Sequence, residues 1–195
     1  SLEIAYTTLF FAVSCVLVFA FALVQEGRMP EGGAAGILWI AIAFAGTLAL
    51  GRTFERERQA ETLRALLMAP APRPAIYVGK LLGVVTLLAA AEVVLVPLVT
   101  LLFQAPLLAR PVSLALILLT GTLGFAAVGT LFAAMLVRAR SRDVLLPILL
   151  YPITVPVIIA GVRATEALLQ PDVDAGVIRF WVALLVAFDV VFVTL

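Results

Sequence analysis

Six long apolar runs account for most of the chain. They are too long and too continuous for the strands of a membrane β-barrel, in which apolar and polar residues alternate over about 10 residues. A helix needs about 20 mainly apolar residues to cross the hydrocarbon core of a bilayer, and these runs approach or exceed that length. They cover residues 4–24, 34–51, 81–103, 112–137, 144–161 and 177–195. The pattern predicts an all-α bundle of six membrane-spanning helices.

The composition agrees with an integral membrane protein. Hydrophobic residues make up 64% of the chain and charged residues 13%, whereas soluble domains carry about 25% charged residues. A formal net charge of only +1 gives no reason to expect a nucleic-acid partner. The single cysteine, Cys15, lies in the first run, where one sulfur cannot form a disulfide framework or a thiolate metal site. We expect residues 1–195 to form one transmembrane domain.

The basic residues predict how the bundle lies in the membrane. Of the 13 Lys and Arg residues, six fall in residues 52–80 and three in residues 138–143. The positive-inside rule places these two connections in the cytoplasm, and alternation of the spans then places both termini there. Both ends of the chain lie in or next to apolar runs, so we also expect that cytoplasmic ends are missing.

The one long charged stretch of the chain predicts a further helix. Residues 54–68 contain no Gly or Pro, whereas prolines follow at positions 70, 72 and 74. This segment alternates acidic, basic and large apolar residues. Mixed charge with apolar anchors suits a groove on a partner protein, because the glutamates would be repelled by an anionic lipid surface. An amphipathic helix that lies on lipid head groups is the alternative.

Several segments together resemble one family of membrane proteins. They are FERERQAETLRALLMAP at 54–70, GKLLG at 79–83, AEVVLVPL at 91–98, RARSRD at 138–143, PILLYPITVP at 147–156 and DVVF at 189–192. The chain is similar to type-2 ABC exporter permeases and, within that group, to the haem exporter protein B (CcmB) family of cytochrome c maturation. The resemblance covers essentially the whole chain.

The resemblance implies a non-catalytic permease subunit with a cytoplasmic coupling helix between spans two and three. A separate ATPase would dock on that helix, and the expected docking residues are Phe54, Glu55, Arg56, Glu57, Arg58, Glu61, Thr62, Leu63 and Leu66. The second basic connection supplies secondary contact candidates: Arg138, Arg140 and Arg142. The chain contains no G-x-x-x-x-G-K-[ST] motif, so ATP would be hydrolysed in the partner chain.

The resemblance also implies partners and a location. These are the bacterial inner membrane, a second copy of the chain, a CcmA-like ATPase, a haem-handling CcmC-like protein, a small CcmD-like subunit and, indirectly, a CcmE-like haem chaperone. The chain has no histidine, the commonest axial ligand of haem iron. We therefore expect that this subunit binds no cofactor directly and that a partner handles the haem.

Two acidic residues lie within the predicted spans. Glu92 is near the middle of span three and Asp189 is within span six, where an ionised carboxylate costs about 2.5–3.5 kcal/mol even on insertion scales. They could form a proton or substrate path, or bind a backbone group that a proline such as Pro97 has freed. The alternative is a protonated carboxyl that only packs.

Glycines and prolines indicate how spans four and five are built. Gly121, Gly124, Gly129 and Ala133 are small residues that permit close approach between helices in lipid. Span five carries three prolines, at positions 147, 152 and 156, and a short apolar segment follows it at 165–169. We expect a broken span with a short re-entrant helical piece, which would serve as a moving gate.

Three other functions remain open at this point. The chain could be the permease of another type-2 ABC exporter that moves a drug, a lipid or a glycan. It could instead be an ion-coupled transporter that uses Glu92, although no inverted repeat relates spans one to three with four to six. A membrane scaffold that transports nothing is the third alternative.

Overall fold

The computed structural model describes residues 2–23, 32–59, 73–136 and 142–194. Within these ranges the regular elements are helices and there is no strand. The long helices are α1 (Leu2–Leu23), α2 (Gly33–Gln59), α3 (Arg73–Phe103), α4 (Pro111–Met135), α5 (Arg142–Leu169) and α6 (Ala175–Thr194). Each contains a stretch long and apolar enough to cross a membrane, and a 3-10 turn at Leu107–Ala109 joins α3 to α4. The predicted six-helix bundle is confirmed.

Local sequence explains where several helices begin. The carboxylate of Asp174 accepts a hydrogen bond of 2.7 Å from the backbone N–H of Gly176, which satisfies one of the free N–H groups at the start of α6. Pro111 occupies the first turn of α4, where its missing N–H costs nothing. Helix α3 begins at Arg73, eight residues before the predicted apolar run. Its first eight residues are only partly apolar, so the apolar pattern did not reveal this start.

The expected break in span five was wrong. Helix α5 is continuous from Arg142 to Leu169 and contains all three prolines, so residues 165–169 belong to the same helix and not to a re-entrant piece. Each proline removes one backbone donor, but a helix packed among other helices tolerates this loss. Helix α5 contacts α2, α4 and α6, and that contact on several sides accounts for its continuity.

Helices α2 and α4 form the centre of the bundle. Helix α2 contacts α1, α3, α4 and α5, whereas α4 contacts α2, α3, α5 and α6. In the membrane-crossing stretches of α2 and α4, 67% of residues are buried, against 17% in α1 and 11% in α6. The small residues of α4 permit this packing, as predicted: Gly121 faces Trp39 of α2, Gly129 faces Leu50 of α2, and Gly124 faces Asp189 of α6.

Candidate functional site

The charged segment begins as a direct extension of α2. The membrane-crossing stretch of this helix is Gly33–Thr53, but the helix itself continues without a break to Gln59. The backbone of the predicted docking residues 54–58 is therefore helical and continuous with a central span. Any displacement of this segment along the helix axis would act directly on α2.

The other predicted contact residues lie at or beyond the limits of the described structure. Arg142 is the first residue of α5. Six further residues fall outside the described ranges: Glu61, Thr62, Leu63, Leu66, Arg138 and Arg140. Their role in binding an ATPase stays a prediction.

The C-terminal half of α2 is fixed to the rest of the bundle. Leu50 is fully buried and packs on Gly129 of α4, at a point where a larger residue would collide with it. The hydroxyl groups of Thr47 and Tyr151 are joined by a hydrogen bond of 3.2 Å between α2 and α5. Because α2 contacts both helices closely here, a shift at its C-terminal end would be passed to α4 and α5 together.

Trp39 holds the N-terminal half of α2 in place, and sequence reasoning missed it. Its indole N–H donates a 3.0 Å hydrogen bond to the hydroxyl of Thr165 in α5. The ring lies against the backbone of Gly121 in α4 and of Gly161 in α5, and only 2% of the residue is exposed. The sequence signal that could have revealed this contact is that Trp39, Gly121 and Gly161 lie at similar depths in the predicted spans two, four and five.

Glu92 occupies a defined position between α3 and α4. Only 8% of the residue is exposed, and the hydroxyl of Thr122 donates a hydrogen bond to its carboxyl group. Glu92 also lines an otherwise apolar groove between these two helices, which includes Pro97 and Pro111. Sequence reasoning found Glu92 but not its partner.

Asp189 lies on a different side of α4 from Glu92. It is 7% exposed, and its Oδ1 atom lies beside Gly124, two residues after Thr122. Successive residues of a helix are about 100° apart, so Thr122 and Gly124 point to nearly opposite sides of α4. Oδ1 has no hydrogen-bond partner within the described part of the chain. The structure therefore separates the two acidic residues by a helix and does not place them in one path.

Tyr77 ties the beginning of α3 to the neighbouring helices. Its hydroxyl lies 3.1 Å from the carbonyl oxygen of Ala127 in α4 and donates a hydrogen bond to it. The carbonyl oxygen of Phe192 in α6 is 3.5 Å from the same hydroxyl. Residues 73–80 follow the charged stretch, so Tyr77 anchors the far side of that stretch to the bundle.

The ligand chemistry of the described residues is sparse. No group of three or more His, Cys, Asp or Glu side chains comes together in the described ranges. Cys15 is partly buried in α1 and has a free thiol. The arrangement consists of a charged extension of a central helix, two isolated buried carboxyl groups and a tightly packed core.

Comparison with known proteins identifies the family. The sequence model of the CcmB protein matches residues 2–195. The chain belongs to the CcmB family. It is similar to the heme exporter protein B of Pseudomonas aeruginosa, with 29% identity over 185 residues, which cover 95% of this chain and 82% of that protein. The proteins of the same name from Rhodobacter capsulatus and Bradyrhizobium diazoefficiens are 32% and 26% identical over 78% and 85% of this chain, or 69% and 74% of their own lengths.

Proposed function

We propose that this CcmB-family chain is the permease subunit of an ABC transporter complex in cytochrome c maturation. The observation that carries the proposal is the family match over residues 2–195 on a bundle of six helices that can cross a membrane. The relatives are named heme exporter protein B, and we extend the haem-export role in that name to this chain. It is a non-catalytic membrane subunit.

ATP hydrolysis takes place in a separate ATPase that docks on the charged segment. The continuous helix from Gly33 to Gln59 supports this mechanism, because it joins the start of the docking segment to the centre of the bundle. ATP-driven closure of the ATPase changes its contacts with residues 54–66, and α2 passes the shift to α4 and α5. The ATPase must bind two conformations of the permease with different affinity, since equal binding to both would not shift the equilibrium between them.

The proposed topology places the charged segment and both chain ends in the cytoplasm and the complex in the bacterial inner membrane. Six of the 13 basic residues lie in residues 52–80, which supports this orientation. In the complex, two copies of this chain assemble with the CcmA-like ATPase and with CcmC-like and CcmD-like proteins. Haem is handled by the CcmC-like partner, and the cycle releases the haem-loaded CcmE-like chaperone. The absence of histidine from these 195 residues supports a partner as the haem ligand.

The test is purification of the tagged protein from its native membrane in a mild detergent, followed by mass spectrometry of what accompanies it. The variant is Glu57→Arg combined with Leu63→Glu, which reverses one charge and inserts another in the docking segment. We expect the unaltered protein to recover an ABC ATPase and haem-handling maturation proteins, and the variant to lose the ATPase.

The matched control is Asp172→Arg combined with Val177→Glu. It makes the same two kinds of change near the opposite end of the bundle, where Asp172 and Val177 are both exposed. This control is expected to keep the ATPase. Recovery of an ATPase with glycan or lipid enzymes would keep the coupling mechanism but contradict the haem assignment. Failure to recover any ATPase under several mild conditions would contradict both and favour the ion-coupled transporter or the scaffold.

A further inference from the structure

A groove opens between α1, α2 and α5 at the inner end of the bundle. Its volume is ≈ 460 Å³, and its lining includes Phe11 of α1, two residues of α5 and five residues of α2. The residues of α5 and α2 are Leu146, Pro147, Phe44, Thr47, Leu48, Gly51 and Arg52. The lining that the structure describes is thus mostly apolar and includes the cationic side chain of Arg52.

The aromatic part of the groove is ordered by ring contacts. Phe44 meets Phe11 edge to face at a centroid distance of 6.4 Å, and it meets Tyr151 at 6.2 Å. The ring of Phe44 therefore bridges α1 and α5 from its position on α2. Even so, Phe11 and Phe44 remain 45% and 41% exposed, so this chain leaves an apolar surface uncovered inside the groove.

Arg52 supplies the charge at the mouth of the groove. It is exposed, so its guanidinium group is open to a ligand from outside the bundle. A guanidinium group binds phosphate oxygens well, because its N–H donors form a planar fork that matches them. Arg52 lies next to the end of the membrane-crossing stretch Gly33–Thr53. Long cationic side chains near the end of a spanning helix reach the level of the lipid head groups.

The length of the groove matches one leaflet of a bilayer. Phe44 and Arg52 are separated by eight residues of one helix, or about 12 Å at 1.5 Å per residue. Half the hydrocarbon thickness of a bilayer is about 15 Å. A phospholipid with its phosphate at Arg52 would therefore lay an acyl chain over Gly51, Thr47 and Phe44 and onto Phe11.

We propose that this groove is a binding site for one anionic phospholipid of the inner leaflet, with its phosphate on Arg52 and an acyl chain against Phe44 and Phe11. The occupant is an anionic lipid because, among the lining residues that the structure describes, the charged side chain is the positive Arg52 and the others are apolar or weakly polar. The site lies between the docking segment of α2 and the start of α5. The lipid would thus fill the space between the helices that the proposed coupling motion must move.

The experiment places the full chain, within the complex purified from its own membrane, in nanodiscs of equal parts phosphatidylglycerol and phosphatidylcholine with identical acyl chains. Native mass spectrometry then counts which lipids stay bound after the protein leaves the disc. We expect a preference for phosphatidylglycerol that Arg52→Gln lowers by about fivefold, and that Arg52→Lys largely retains because the charge remains. Arg110→Gln removes the same charge at the opposite end of the bundle and is expected to keep the preference.

A second pair of variants tests the apolar part of the site. A Cβ atom added at Gly51 or at Gly36 meets no atom within 4 Å, and both residues lie on α2, but of the two Gly51 lines the groove. Gly51→Phe should fill the groove and reduce retention of both lipids, whereas Gly36→Phe should not. A thermal melt of each variant confirms that it has folded.

Three results would overturn the proposal. If Arg52→Gln and Arg110→Gln reduce the preference for phosphatidylglycerol equally, the net charge of the protein, and not the groove, retains the lipid. Equal behaviour of Gly51→Phe and Gly36→Phe would mean that the acyl chain lies elsewhere. Dissociation of a second copy in Gly51→Phe with unchanged lipid would mean that protein covers the groove. If a variant loses the lipid but keeps the ATPase, the lipid site and the ATPase-docking function are separate. If a variant keeps the lipid but loses the ATPase, the proposed function fails independently of the lipid site.

Discussion

Trp39 and Thr165 join the second and fifth spans through a hydrogen bond of 3.0 Å from the indole N–H to the hydroxyl oxygen. The same hydroxyl donates a 2.8 Å bond to the carbonyl oxygen of Gly161, one turn earlier in its own helix. Gly161 is also one of the two glycines on which the indole ring lies. A single aromatic residue thus fixes the distance between α2 and α5 through its ring and its nitrogen.

The packing of this indole predicts that Gly161→Ala destabilises the bundle. The new Cβ atom would lie 2.7 Å from Cδ2 of Trp39, which forces the ring or a helix to shift. Overpacking of this kind costs about 1–3 kcal/mol. We expect a lower melting temperature in detergent and a shift of the Trp39 fluorescence, measured in a Trp181→Phe background.

The matched control for this change is Gly83→Ala in α3. A Cβ atom there meets nothing within 4 Å, and alanine is the better helix former, so stability should stay equal or rise slightly. Equal melting temperatures for Gly161→Ala and the unaltered protein would show that the ring is not held against this glycine.

The hydrogen bond itself predicts a smaller effect for Thr165→Val. Valine keeps the volume of threonine but leaves the indole N–H without its acceptor in the core. Hydrogen bonds between spans contribute about 0.6 kcal/mol on average in membrane proteins, so the loss should be well below that for Gly161→Ala. Thr86→Val is the control, because the Thr86 hydroxyl is exposed and bonds only within its own helix. A loss in Thr165→Val no larger than in this control would contradict a role for the bond.

Sequence alone predicts the six helices well but not which face of each helix meets protein. A helix that is apolar all round shows no stripe that marks its buried side, so the partners of Trp39 and Glu92 could not be derived. Small residues were the one useful signal, and Gly121, Gly124 and Gly129 of α4 do meet neighbouring helices. The proline pattern misled in α5, because a proline breaks a helix in water more readily than inside a packed membrane bundle.

The site is predictable to a smaller extent than the fold. The positions of Glu92 and Asp189 within spans followed from the sequence, but their separation by α4 required the structure. The groove at Arg52 could not be predicted, because it is made by residues from three helices that are far apart in the chain. The role of the charged segment rests on the family resemblance and on the helical backbone of residues 54–58.

Thr122 fixes the carboxyl group of Glu92, which predicts different results for two substitutions. Thr122→Val removes the donor and leaves a buried carboxyl without this bond, so stability should fall by about 1–3 kcal/mol. Glu92→Gln keeps an oxygen that can accept the bond, so its melting temperature should stay close to that of the unaltered protein. Both are measured by thermal unfolding of the purified complex.

A functional assay then separates packing from proton transfer at Glu92. If the carboxyl only packs, Glu92→Gln keeps both stability and cytochrome c maturation in cells. Normal stability with lost maturation would instead assign Glu92 a chemical role that the amide cannot perform.

The hydrogen bonds at the start of α6 predict that Asp174→Ala lowers the stability of this helix end. The carboxylate accepts bonds from the backbone N–H groups of Gly176 at 2.7 Å and Val177 at 3.4 Å, and removal of such a cap costs about 1 kcal/mol. Hydrogen exchange should increase in the first turn of α6 and not elsewhere. Asp172→Ala, two residues earlier and exposed, is the control and should leave the exchange unchanged. If hydrogen exchange in the first turn of α6 is the same in Asp174→Ala and Asp172→Ala, the capping role of Asp174 is contradicted.

Gly124 and Asp189 predict a measurable coupling between α4 and α6. A Cβ atom at Gly124 would lie 2.6 Å from Oδ1 of Asp189, so Gly124→Ala should destabilise the unaltered protein. In an Asp189→Ala background this clash disappears, so Gly124→Ala should lower the free energy of unfolding by a smaller amount. The relief is partial, because Phe188 and Val157 would still lie 3.3 Å and 3.4 Å from the new atom.

The double-mutant cycle built from these two changes measures the contact directly. Residues in contact show interaction energies of about 0.5–3 kcal/mol, whereas distant pairs add within about 0.3–0.5 kcal/mol. Gly129→Ala in the same Asp189→Ala background is the control, since Gly129 faces Leu50 on the other side of α4, and its cost should be unchanged. Strict additivity of Gly124→Ala and Asp189→Ala would mean that the carboxyl group of Asp189 does not rest on this glycine.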